Sequence, residues 1–133
     1  MQAGAYFKRI DLAPAAPAAV HLNIVGDNAG QLDIAAARLQ SLRALVREAV
    51  ALLGPPHYPH YDFMLTRSLA AGGFGLEHLA SSDDRFPPAF LGDADDNLRT
   101  LRVLPHELVH SWNGKFRRPA DMLATDFNTP MSG

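Results

Sequence analysis

Five consecutive residues, His106-Glu107-Leu108-Val109-His110, have types and a spacing that permit a specific chemistry. On a helix, side chains four apart return to one face, so both imidazoles can point at one divalent metal ion. Glu107 projects to the side of that pair, within reach of a metal-bound water rather than of the metal. This is what metal-assisted hydrolysis requires. Zinc lowers the pKa of its water toward about 7, and an adjacent carboxylate takes the proton as the water attacks a carbonyl. The chain has six histidines and three glutamates among 133 residues. That composition gives about 0.006 chance occurrences of the five-residue pattern. The alternative is a pair of surface histidines on a helix packed for other reasons.

The elements that must position such a motif are legible around it. Asn97 to Trp112 is a helix candidate: at about 100° per residue, Leu98, Leu101, Leu104, Leu108, Val109 and Trp112 fall on one side, with His106 and His110 at its margin. Pro105 lacks an N–H and clashes with the preceding turn, so it kinks this helix or marks its true first turn. Trp112 fills core volume, and Asn113-Gly114-Lys115 is the expected exit. Lys115, Arg117 and Arg118 then follow a helix C-terminus, where cations complement the dipole.

Upstream, Asp33 to Leu53 carries a second stripe: Ile34, Leu39, Leu42, Leu45, Val46, Ala49, Val50 and Leu53, with Arg38, Arg43, Arg47 and Glu48 off it. Asp33 is the expected N-cap and Gly54-Pro55-Pro56 the stop. Strands are expected at Val20–Val25, closed by Gly26-Asp27-Asn28, at Tyr61–Thr66 with Phe63 and Leu65 on one face, and at Leu76–Ser81. Glycines 72, 73 and 75 beside the last of these permit close approach of a backbone or ligand. Pro14 and Pro17 among alanines make Leu12–Ala19 an extended linker. Ser82 to Asp96 reads as a loop. Its Asp93, Asp95 and Asp96 lack the glycine and distal glutamate of an EF-hand and read as solvated charges. The fold class is therefore α+β, a small mixed or antiparallel sheet packed on two helices.

Composition bounds the rest. Hydrophobic residues make up 47% and charged residues 20%, a globular balance. A net charge of −2 supplies no field for nucleic acid or an anionic membrane surface, so neither is an expected partner. There are no cysteines, which excludes disulfides and thiolate ligands. Met1–Arg9 has no basic segment leading into an apolar one, hence no secretory signal, and leaves the compartment open between cytoplasm and periplasm.

The sequence resembles the glycyl aminopeptidase family of zinc metallopeptidases, gluzincins with a thermolysin-like catalytic domain. The resemblance is carried by His106-Glu107-Leu108-Val109-His110-Ser111-Trp112-Asn113-Gly114-Lys115 with Arg117-Arg118-Pro119. Upstream, Gly75-Leu76-Glu77-His78 matches the family's Gly-Gly-Leu-Glu-His segment, with Phe74 in place of the first glycine. It implies that His106 and His110 are zinc ligands and Glu107 the general base. It also implies that Gly75 and Glu77 border the substrate cleft, the Glu77 carboxylate holding the α-ammonium of a peptide substrate. The other reading of Glu77 is a strand-edge carboxylate paired with a nearby arginine. His78 shares no face with the two histidines and reads as a structural hydrogen-bonder.

In the family a third ligand, a glutamate, stands on the next helix, but the three glutamates here are Glu48, Glu77 and Glu107. Asp121 and Asp126 are the carboxylates that follow the motif. The resemblance therefore implies the N-terminal lobe of a thermolysin-like domain over residues 20–133, cut before its helical second lobe. Residues 1–19 would be a linker or the end of an upstream β domain. The parent would be an aminopeptidase removing N-terminal Gly or Ala. The piece itself is expected to be inactive, to bind zinc weakly or not at all, and to self-associate through its uncovered core face. A non-catalytic module that binds peptides along Gly75–Ser81 is the alternative.

Overall fold

Alternating burial sets the centre of the sheet. In the computed structural model, which describes residues 6–14, 17–93, 101–120, 126 and 128, strand β2 (Ala19–Gly26) turns Val20, Leu22 and Ile24 into the core. Strand β3 (His60–Arg67) does the same with Tyr61, Phe63 and Leu65. Each such side chain, fully buried, contributes roughly 1.5–3 kcal/mol. β2 and β3 run parallel, Val20 beside Tyr61 and Ile24 beside Leu65. Helix α1 (Ala36–Leu53) makes the crossover between them and buries Leu42, Val46 and Ala49.

Three further strands complete a five-stranded mixed sheet. β1 (Tyr6–Asp11) is an antiparallel edge on β2; β4 (Phe74–Glu77) and β5 (Ser81–Phe86) form a hairpin whose second strand pairs parallel with β3. The order across the sheet is β1-β2-β3-β5-β4. Helix α2 (Val103–Trp112) lies over β4 and β5 and adds Leu104, Leu108 and Trp112 to the core shared with α1. The opposite face of the sheet is polar at its centre. There Asp62 accepts from Asn23 Nδ2 at 2.8 Å and stands 3.2 Å from His21 Nδ1.

The α+β class holds, while several element boundaries move. β1 was not anticipated from sequence. The expected strand Leu76–Ser81 straddles the β4–β5 turn, where His78 N–H bonds Ser81 O at 2.9 Å. The expected loop from Ser82 begins instead as β5. Its inward Ser82, Asp84 and Phe86 alternate with outward Asp83 and Arg85, a polar alternation that hydropathy cannot register. Asp33 does not cap α1: Ala35 occupies that position without a side-chain bond. The Asp33 carboxylate pairs with Lys8 at 3.2 Å, and its carbonyl accepts from buried Arg67 at 2.6 Å. Gly54, at φ 99°, does end the helix, its N–H bonding Val50 O. Pro105 falls in the first turn of α2, where its missing N–H has no helical partner to lose. Leu98, Asp95, Asp96 and Asp121 lie outside the described residues.

Candidate metal centre

Helix α2 orients the motif because Leu104, Leu108 and Trp112 bind one side of it to the core. His106 and His110, one turn apart, are left at the exposed margin and Glu107 is turned inward. The two Nε2 atoms converge to 2.9 Å, with ring planes at 84°. His110 Nδ1 lies 3.2 Å from the Asn113 carbonyl. An oxygen can only accept, so the proton sits on Nδ1 and the Nε2 lone pair points outward. One donor atom from each of His106, Glu107 and His110 fits within a span of 4.8 Å. The His106 Nε2 stands at hydrogen-bonding distance from that lone pair, and the two nitrogens are close enough together to share one cation about 2 Å from each. The residues present therefore fit two ligands of a metal. Asp126 is not in this group; its carboxylate accepts the Asn128 N–H at 2.8 Å.

Glu107 is 5% exposed, and its Oε2 is buried without a hydrogen-bond partner. Burial raises its pKa, against the pull of His106 and with a push from Glu77. The carboxyl rests on β4 at Gly75. A Cβ there would stand 2.9 Å from Glu107 Cδ and 2.6 Å from Val103 Cγ1, and nearer still to Glu107 Oε1. A glycine is needed at this position by contact, since its backbone is ordinary strand.

Two residues further along the same face, Glu77 is half-buried and meets Lys115 Nζ at 3.4 Å. A bond from its own backbone N–H lowers its pKa, opposed by burial and helped by Lys115. The partner is the lysine after α2 rather than the arginine that the sequence suggested as an alternative. Lys115 is held there because its N–H, with those of Phe116 and Arg117, satisfies the last carbonyls of the helix. His78 is exposed at the β4–β5 turn and outside the donor group. Gly73, Phe74, Gly75, Arg102, Val103, His106 and Glu107 line a cavity of about 360 Å³.

Ser111 was not singled out from sequence, yet it ties this geometry together. Wholly buried, it donates to Leu79 O at 2.5 Å and lies 3.0 Å from His57 Nε2. A hydroxyl has one proton, so His57 must donate in return. Serine's small size and its place one residue after the second histidine were the available signals.

The segment 99–133, which carries the two histidines, matches the family model of the M61 glycyl aminopeptidases. The fold agrees over most of the chain with the crystal structure of an aminopeptidase N family protein from Idiomarina loihiensis. The TM-score is 0.71 at 21% identity, with 94% of this chain and 21% of that one covered. The chain thus spans about a fifth of that aminopeptidase's length. A search of curated proteins finds no match. The glycyl aminopeptidase resemblance read from Gly75–His78 and His106–Pro119 therefore agrees with an independent family match over the second of these segments.

Proposed function

We propose that this chain carries part of the active site of a zinc-dependent aminopeptidase, the first lobe of a thermolysin-like domain. The observation that carries the reading is the convergence of His106 Nε2 and His110 Nε2 beside a buried Glu107 carboxyl. His106 and His110 would hold the metal, and a carboxylate from sequence beyond this chain would complete it. Zinc, when bound, supplies a polarised water of lowered pKa. Glu107 would be the base that takes a proton from the attacking water and gives it to the leaving amine. Burial suits it to the task, because a carboxylate of raised proton affinity is a better base near neutral pH. Glu77, kept ionised, would pair with the α-ammonium of the substrate, and Gly75 lets the peptide-side strand lie close to the base. An ammonium anchored at a fixed distance from the reacting water selects N-terminal residues. Gly or Ala is the expected first residue.

β4 ends the sheet among the described residues, and that edge favours the second reading, a module that binds extended peptides without cleaving them. Calorimetric titration with zinc and assay on glycyl and alanyl peptides separate the two. The chain alone is expected to bind zinc weakly, through His106 and His110, and to cleave nothing. Joined to downstream sequence that supplies a glutamate, it is expected to hydrolyse these peptides. Glu107→Gln should then lower the rate roughly 10²- to 10⁴-fold with zinc affinity little changed. Peptide binding that ignores zinc and survives His106→Ala would favour the second reading instead.

A further inference from the structure

Away from the histidines, the proline-punctuated run after β1 and the face of α1 opposite it enclose a cavity of about 580 Å³. Small-molecule pockets span roughly 300–1,000 Å³. One wall begins at Leu12, whose N–H bonds Val20 O at 2.8 Å and pins the run beside β2. Pro14 and Pro17 further along that wall have no N–H to offer. The Ala13 N–H is taken by the Asp11 carboxylate at 2.9 Å. The wall is thus apolar and its backbone donors are absent or spent.

The other wall is helical. Arg43, Val46, Arg47 and Val50 stand at i, i+3, i+4 and i+7, one continuous face of α1. Val46 is buried against the core and Val50 is half-buried, while both arginines reach solvent. Arg43 Nη2 donates to the Asp11 carbonyl at 3.4 Å. Arg47 has no hydrogen-bond or ion-pair partner among the described residues. No acidic side chain lines the cavity. Two cations four residues apart on a helix repel, and an anion placed beside them relieves that repulsion. The interior offers an occupant burial of apolar surface, and the guanidinium groups offer paired N–H donors of the kind that match a carboxylate.

We propose that this cavity binds a small amphipathic monocarboxylate. Its apolar body lies against Leu12, Val46 and Val50, and its carboxylate is held by Arg47, with Arg43 adding a second positive charge. None of these residues belongs to the histidine centre, and binding here requires neither zinc nor peptidase activity.

Octanoate and octanol are suitable probes, because they share a chain length and differ in charge. Both are titrated into the chain without added metal, well below the micellar range, and followed by nuclear magnetic resonance. Octanoate should shift the Leu12, Val46 and Val50 methyl signals together with the Arg47 Nε–H, and saturate. Octanol should bind the same methyl groups roughly tenfold or more weakly, the difference that a charge-assisted hydrogen bond makes. Arg47→Gln, at an exposed position that the core does not need, should weaken octanoate by about that factor and leave octanol unchanged. Equal affinity for the two probes would overturn the proposal. So would octanoate binding that Arg47→Gln leaves unaltered, shifts confined to another surface, or no saturable shift at all.

Discussion

Gly75 shows how little room the site leaves at the scale of one residue. A methyl group there would overlap Val103 and the Glu107 carboxyl, both fixed by a helix that the core holds in place. Gly75→Ala should destabilise the chain by about 1–3 kcal/mol, the usual cost of overpacking, in urea or thermal unfolding. Stability indistinguishable from wild type would mean that α2 can shift away from β4. Asp84 predicts a pH effect of definite sign. Burial lifts its folded pKa to about 7, above its ordinary 3.8. Between those values the folded chain holds a proton that the unfolded chain has released. Stability from this group is thus fully present below about pH 4 and is lost as pH rises toward 7. Asp84→Asn should flatten that slope, worth a few kcal/mol across the window. Denaturant titrations of both proteins at either end of the window measure it. A steeper fall in the variant would contradict the assignment.

Among elements, the contact that matters is α2 against the β4–β5 hairpin, because it sets Glu77 and Gly75 beside the histidines. Apolar packing from Leu104, Leu108 and Trp112 supplies attraction but tolerates sliding. Ser111 supplies the register, since a hydrogen bond to Leu79 O is directional. His57, from the loop after α1, backs it while stacking on Phe116 at 4.3 Å. Ser111→Ala should cost about 1–3 kcal/mol by stranding the Leu79 carbonyl. It should also speed amide exchange in the Leu79–Ser81 turn more than in β2 or β3. Uniform acceleration everywhere would assign Ser111 to global stability rather than to register. At the C-terminal end of β3, on the same buried face as Leu65, Arg67 plays a similar role, its guanidinium bonding the Gln31, Asp33 and Pro88 carbonyls.

For the molecule as a whole, one side of α2 faces the core and the other carries Val109, 37% exposed, between His106 and His110 in sequence, while Phe116, past the helix end, is 54% exposed. No described helix is long and apolar enough to cross a membrane. The exposed apolar side chains next to an incomplete ligand set should drive association of one copy with another. Light scattering across a concentration series should show mass rising above the 14.4 kDa monomer, and Val109→Lys should reverse it. A concentration-independent monomer would rule this out.

By itself the sequence determined the helix carrying His106, Glu107 and His110, its exit at Gly114, the stripe of α1 and the positions of the two central strands, though not that they run parallel. Each of these is written in local terms: a helical period, an alternation, a proline or glycine at a boundary. The pairing of β4 with β5 was illegible because the inward residues of β5 include Ser82 and Asp84, polar groups buried by tertiary context alone. Asp33 was misread for a related reason, since a cap competes with distant partners such as Lys8 and Arg67 that only the folded chain brings near. The site divides along the same line. Spacing four residues apart brought the imidazoles together, whereas the seat of Glu107 on Gly75 and the Lys115–Glu77 pair join residues far apart in the chain. Such contacts have no period to betray them, and it was the fold that decided them.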